Sequence, residues 1–575
     1  MIVVKTYTPP VYPYRKPPEL AGAPRHWPVI VAGAGPVGLT AAIDLALRGV
    51  DVLVLDEDDT VSVGSRAICW SKRTLEILDR LGCGERLVEK GVSWNVGRVY
   101  FRDEQIYQFD LMPESGHRRP SFINLQQYHV EQFLVERVCG LPGAEVRWRH
   151  KVVGVAPNDD RVTLRVATPD GEYTVHADWL IVADGSKSPI RGLLGLESEG
   201  QVFHDRFLIA DIHMTSNFPA ERRFWFDPPF HRHQSALLHR QADDVWRVDF
   251  QLGPDADPDE EKKPERVLPR LRAMLGEDVR FEIEWASVYS FQCRRMRSFR
   301  HGRLLFVGDA AHVVSPFGAR GANSGIQDVD NLGWKLELVL EGLAPERLLD
   351  SFDVERTAAA DENIRNSTRS TDFITPKSNM SRIFRDAVLM LAKRYAFARK
   401  LVNSGRLSLP STFRDSPLNT PDVDAFAGGL GPGAPAVDAP VMGGEGPWLL
   451  DYLRHGFALL VFTRQPSQAL LRELDALASE TIACESVLVG AASAAPRSFR
   501  RIADPTGLLA QRYDAKPETV YLFRPDQHVC ARWRSFDAAR VRSAVARATG
   551  QLITEAASCS TPNPTSPRPT TSIRS

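Results

Sequence analysis

Residues 28–39 read Pro-Val-Ile-Val-Ala-Gly-Ala-Gly-Pro-Val-Gly-Leu, and residues 50–56 read Val-Asp-Val-Leu-Val-Leu-Asp. Pro28 to Ala32 is an apolar run of strand length, the glycines make a turn, Pro36 to Gly49 reads as a helix, and Val50 to Asp56 as a second strand. Strands this continuously apolar belong inside a parallel sheet covered on both faces, so the unit is a βαβ crossover. The three glycines of Gly33-x-Gly35-x-x-Gly38 have separate tasks. Gly33 permits the tight turn out of the strand, Gly35 lets the backbone approach a pyrophosphate, and Gly38 lets helix and sheet pack closely. The helix N-terminus adds free N–H groups and partial positive charge under the phosphates. Asp56 closes the second strand, where a carboxylate can accept both hydroxyls of an adenosine ribose. An isolated GxGxxG marks only a glycine turn; the flanking strand, helix and acid are what point to a dinucleotide.

Around this unit, residues 1–27 form a Pro-rich arm interrupted by Lys5, Arg15, Lys16 and Arg25, unlike a signal peptide. Helical spacing runs from Ser71 to Lys90 and from Gln127 to Cys139, and short alternating strands fill 144–182. Residues 205–297 are strand-rich and aromatic apart from a charged insertion near Asp255–Glu265; Arg303 to Val307 is a buried strand, and Ala322 to Leu340 a long helix. These features divide the chain into a nucleotide-binding domain in two parts (28–204 and 298–405), an inserted β-rich domain (205–297), a linker (406–424), a small α/β domain (425–550) and a disordered Ser/Thr/Pro-rich tail (551–575). A formal net charge of −1 gives no pull toward nucleic acid or anionic membrane. The seven cysteines form no CxxC pair or metal-ligand spacing, so reduced thiols in a cytoplasmic protein are expected.

Two later segments also end a buried strand on an acid. Leu180-Ile-Val-Ala-Asp-Gly-Ser-Lys-Ser-Pro-Ile-Arg191 carries Asp184-Gly185, by itself an ordinary turn. Gly308-Asp309-Ala-Ala-His312 leads into Pro316-Phe-Gly-Ala-Arg-Gly-Ala-Asn323. Asp309 is placed to bind a sugar-alcohol hydroxyl. The helix start at Gly321–Asn323 can aim N–H donors and its dipole at the pyrimidine end of a flavin, which is anionic when reduced. His312 has no partner acid or metal companion evident in the sequence, so a structural role is expected of it.

In this order, the GAGPVG, ADGSKSPIR and GDAAHVVSPFGARGAN…QDVDNLGWKL segments resemble the class A flavoprotein monooxygenases, aromatic hydroxylases of the para-hydroxybenzoate hydroxylase type, over residues 28–400. VYLFRPDQHVCARW resembles the thioredoxin-like domain of phenol hydroxylases, and the overall layout is most similar to 3-(3-hydroxyphenyl)propionate hydroxylases. The resemblance implies an α/β chain: a Rossmann-like FAD-binding domain (GR2-type), an inserted β-rich substrate domain and a C-terminal thioredoxin-like domain. Without a CxxC, the last is expected to serve structure or the contacts of a homodimer. By the same resemblance, Gly33, Gly35 and Gly38 bind the FAD pyrophosphate and Asp56 the ribose, although Glu is commoner there. Arg66 contacts FAD phosphate or ribose, Gln127 lies near the ribityl chain, and Asp184-Gly185 is shared between FAD and nicotinamide contacts. Asp309 holds the ribityl chain, Gly321, Ala322 and Asn323 touch the isoalloxazine, and the carbonyl of Pro316 faces flavin and substrate.

The implied activity is FAD-dependent hydroxylation of a phenol resembling 3-(3-hydroxyphenyl)propionate, with NADH or NADPH as donor and O2 incorporated through a flavin hydroperoxide. The partners are then the phenol, O2 and NAD(P)H, with neither nucleic acid nor membrane. The substrate is expected between the flavin and the 205–297 sheet, near Trp225, Phe230, His231 and Arg232, where aromatic walls and cations suit a phenol bearing a carboxylate. Strand alternation, however, puts half of that region in the core. The alternative is an FAD dehydrogenase or reductase that inserts no oxygen. A halogenase would want a WxWxIP segment, which is absent, and a non-catalytic flavin-binding scaffold would consume no nicotinamide cofactor.

Overall fold

The computed structural model describes residues 7–402, 407–490 and 499–552. The apolar runs of the βαβ unit become neighbouring parallel strands, His26–Ala32 and Val52–Asp56, joined by the helix Pro36–Leu47. They sit mid-sheet in the order Arg300–His301, Leu304–Phe306, Gly171–Val182, His26–Ala32, Val52–Asp56, Ala144–Trp148. All but the first run parallel. Ala32 lies beside Val182, and Val182 beside Phe306. That register brings Gly33, Asp184 and Asp309 to one edge of the sheet, at the carboxyl ends of its strands, where open α/β sheets bind ligands.

Part of the arm is tied down. Tyr12 stacks on Trp148 at 4.5 Å, and buried Glu19 pairs with Arg147 at 3.1 Å. The helix expected over Ser71–Lys90 is two, Lys72–Arg80 and Gly84–Lys90, because Gly82 turns the chain at φ +81°.

A second sheet of eight strands runs His312–Val313, Glu282–Met296, Ser198–His213, Val245–Leu252, Ser235–Arg240, Arg222–Phe226, Val96–Phe101, Glu104–Asp110. It crosses the boundary expected at 204/205 and takes two strands from residues 96–110. One face (Leu208, Ala210, Leu238, Val248, Phe250) packs on Val267 and Leu271. These two belong to the helix Pro264–Leu275, which follows the charged insertion. The other face looks toward the nucleotide-binding domain.

The C-terminal domain has the thioredoxin-like arrangement. Phe457–Phe462 and Cys484–Val489 are parallel, and Val520–Phe523 and Val529–Trp533 follow as an antiparallel hairpin beside the first. It docks on the far half of the helix Gly321–Leu340, where Trp334 meets Phe457 edge-on at 5.9 Å. A buried charge network crosses this seam. Glu355 pairs with Lys335 at 2.7 Å and Arg524 at 2.5 Å, Arg524 also holds Asp526, and Arg73 bridges Asp330 and the Asp526 carbonyl. The linker segment is irregular but anchored, with Phe413 and Leu418 buried and Ser416 donating to Glu355. The tail lies outside the described residues from 553 onward. Among the described residues, the six cysteines are free, no helix is long and apolar enough to cross a membrane, and no side-chain cluster could hold a metal.

Candidate functional site

The three glycines of the first turn differ in what a side chain there would meet. Gly33 leaves its strand at φ +106°, and a Cβ there would stand 2.5 Å from the Ala183 carbonyl oxygen. At Gly38 a Cβ would stand 1.9 Å from the Gly33 oxygen. At Gly35 a Cβ would meet no protein atom within 4 Å. The first two glycines therefore serve the chain's own packing, while the third exposes backbone to whatever enters the cleft. Asp56 accepts from the N–H groups of Ala34 at 2.5 Å and Asp58 at 2.9 Å, and burial pushes its carboxyl up to about 6.

From Gly35 a cleft of about 370 Å3 runs past Ser62, Arg66, Gln127 and Gly185 to Asp309 and then to Pro316 and Ala319–Asn323. Gln127 braces the loop that carries exposed Arg66: it accepts from the Ala67 N–H at 3.0 Å and donates to Ser62 Oγ at 3.1 Å and Glu131 at 2.8 Å. Asp184 stands just behind the lining. Its Oδ2 caps the short helix Pro189–Leu193 through the Ile190 N–H at 3.0 Å, and its Oδ1 is buried without a partner.

At the far end, Asp309 opens onto the cleft, and the protein crowding it pushes its carboxyl above the usual range. Ala319 adopts a left-handed φ of +50°, a strained conformation for alanine, and swings the chain from the Pro316–Gly318 turn into the long helix. The N–H groups of Gly321, Ala322 and Asn323 in its first turn have no intrahelical acceptor. Pro316 is exposed, with its carbonyl accepting from the Ala319 N–H at 3.0 Å. The Asn323 side chain is fully committed to protein: it accepts from the Ser71 N–H and Thr74 Oγ1 and donates to the carbonyls of Cys69 and Ala319. Only its main chain is left for a ligand. His312 has a partner acid that the sequence did not reveal. Its Nε2 lies 2.7 Å from Asp328, which also takes Arg356 at 2.6 Å, all three buried. Against the cost of burial, His312 and Arg356 beside it hold the Asp328 carboxyl below its ordinary value.

The inner face of the second sheet closes the cleft. Strand register puts Ile209, Asp249, Leu237 and Phe224 in one row and Asp211, Arg247 and His239 in the next. Arg222 shares that face, two residues before Phe224. Arg247 is neutralised by Asp211 at 2.7 Å. Asp249 is not paired: its Oδ1 is buried without a hydrogen-bond partner, and burial pushes the carboxyl up to about 6. Burial, with Arg222 and Arg247 nearby, holds the His239 imidazole well below its ordinary value.

Trp225, Phe230, His231 and Arg232, expected beside the substrate, do not line the cleft. Trp225 and Phe230 pack with the core on the outer face, His231 Nε2 lies 2.6 Å from the Gln251 carbonyl, and Arg232 faces Asp227 at 3.5 Å. The two-residue period of the strand turns Trp225 outward exactly where Phe224 turns inward. Arg222, Arg247 and Asp249 were missed. The available signal was charge at alternate positions of otherwise apolar strands, as in Val-Trp-Arg-Val-Asp-Phe.

A backbone left open at Gly35, the first-turn N–H groups and Asp309 along one cleft, with Asp56 behind the glycine turn at its end, are the donors and acceptors that an FAD requires. The family model described as an FAD binding domain matches residues 26–367. The 3-(3-hydroxy-phenyl)propionate/3-hydroxycinnamic acid hydroxylase of Mycolicibacterium smegmatis is 28% identical, over 87% of this chain and 89% of its own length. The 6-methylpretetramide 4-monooxygenase of Streptomyces rimosus is 31% identical, over 72% of this chain and 74% of its own length. The crystal structure of the flavin-dependent monooxygenase PieE with FAD and substrate superposes with a TM-score of 0.78 at 23% identity, covering 92% of this chain and 100% of that one, a likeness of fold.

Proposed function

The chain belongs to the family built on this FAD binding domain and is an FAD-dependent aromatic monooxygenase; on that premise we propose that it hydroxylates a phenol held between Pro316 and the inner sheet face, with NADH or NADPH as reductant. Bound FAD would supply hydride uptake and oxygen activation. Gly33, Gly35 and Gly38 shape its pyrophosphate seat, Asp56 holds the ribose, and Arg66 and Gln127 flank the phosphate and ribityl stretch. Asp309 takes a ribityl hydroxyl, and the N–H groups at Gly321–Asn323 face the ring. Gly185 borders the cofactor, while Asp184 holds the turn that carries it. Ile209 and Leu237 exclude water on the substrate side. Asp249 Oδ1 accepts the phenolic proton, which raises the electron density of the ring carbon to be oxygenated.

The observation that carries this reading is the continuity of one cleft from the nucleotide turn to a sheet face bearing an unpartnered buried carboxylate. It needs only small molecules and a cytoplasmic supply of reduced nicotinamide. The test follows NADH and NADPH oxidation in air by the FAD-loaded protein, with and without a panel of phenols that includes 3-(3-hydroxyphenyl)propionate. Phenol-stimulated oxidation giving a product heavier by one oxygen is the expected result. Oxidation indifferent to every phenol, with no oxygenated product, would overturn the reading in favour of a dehydrogenase or reductase.

A further inference from the structure

A second cavity, of about 380 Å3, lies beside the cleft, and Arg222 and Arg320 line both. Its walls are aromatic, with Phe224, Phe226, Phe317 and Phe373 among them. Five cations and no carboxylate stand among its lining residues. One of these, Arg98, is already paired with Glu221 at 2.7 Å. Arg222 differs: it is only 7% exposed, and among the described residues it has neither an ion pair nor a hydrogen bond. Asp249 acts on it only at longer range, and a buried guanidinium that no carboxylate contacts is costly, a cost relieved when a ligand brings an anion. Size sharpens the point. A cavity of roughly 150 Å3 already accommodates benzene, so this one has room for two or more rings, and a short acidic side chain would leave most of it unfilled.

We infer that the second cavity takes the part of the substrate that does not react, so that the substrate is a multi-ring aromatic acid. One ring lies in the cleft, at least one more among the phenylalanines, and an anionic group sits on Arg222 where the two spaces meet. This rests on the reading that the phenol reacts in the cleft.

The test is equilibrium binding to the FAD-loaded protein, followed by the perturbation of the flavin absorbance. The probes are 3-hydroxybenzoate, 6-hydroxy-2-naphthoate and 2-naphthol. The hydroxynaphthoate should bind at least tenfold tighter than either of the others. Arg222→Gln should abolish its advantage over 2-naphthol while leaving 2-naphthol within twofold. Ser370→Phe, which fills the cavity from its helical wall, should weaken the hydroxynaphthoate and spare 3-hydroxybenzoate. Equal affinity for the one-ring and two-ring acids, or an Arg222→Gln effect equal on acid and neutral ligand, would overturn the inference. If phenols stimulate turnover without these preferences, the inference fails and the monooxygenase reading stands. If the preferences appear without oxygenated product, it is that reading which fails.

Discussion

The cleft and the seam beneath the C-terminal domain both bury charge, and they treat it oppositely. In the seam the most deeply buried cations have carboxylates: Arg73 and Arg80 share Asp330, Lys335 and Arg524 share Glu355, and Arg524 also holds Asp526. In the cleft and its neighbouring cavity, Asp249 Oδ1 and Arg222 are left without partners. A buried ion pair breaks badly when one partner is removed, whereas a buried charge left open toward a cavity can be completed by a ligand. Polar groups that hold the molecule can thus be told from those that await a substrate. The seam also reaches the site indirectly, since the helix it grips begins at Gly321–Asn323.

The contrast can be broken at either end. The largest effect is expected from Glu355→Ala, which strands Arg524 and Lys335 as buried charges; denaturant unfolding should lose about 3–5 kcal/mol. An unchanged midpoint would mean that the seam does not hold the domain. Asp249→Asn should lower kcat/KM about 100-fold while FAD content and unfolding midpoint stay put. Because only the carboxylate can accept the proton, the wild-type rate should rise with pH through about 6 and level off above it, and the variant should lack that limb. A variant that is unstable but fully active would move Asp249 to the structural side of the comparison. Asp56→Asn should weaken FAD binding about tenfold, the worth of a hydrogen bond to a charged acceptor, read as Kd from flavin fluorescence. Smallest of all, Trp225→Phe should change kcat/KM by less than about twofold; a larger loss would put the outer sheet face in the site after all.

The nucleotide end of the cleft was legible because its constraints are local. Glycines required by φ or by a clash, an apolar strand, a helix start and an acid all lie within residues 28–56, and each can be judged from its neighbours in the chain. The acid partner of His312, sixteen positions further on, was not visible because the Pro316–Gly318 turn must first fold the helix bearing Asp328 back onto it. The substrate side was misread for a different reason. In a strand a shift of one residue exchanges the two faces, so the aromatic cluster around Trp225 did not say which members look inward.

What the sequence by itself determined is the βαβ turn, the three acid-terminated strands and, through them, a flavin-binding α/β fold, since steric limits and side-chain period act over a few residues. Tertiary structure alone decided that strands from residues 96–110 complete the inner sheet, that Asp249 and Arg222 face the site without partners, and that Arg73, Asp330, Glu355 and Arg524 meet in one seam. Those outcomes depend on register and on the pairing of distant buried charges, which are set only when the whole chain is packed.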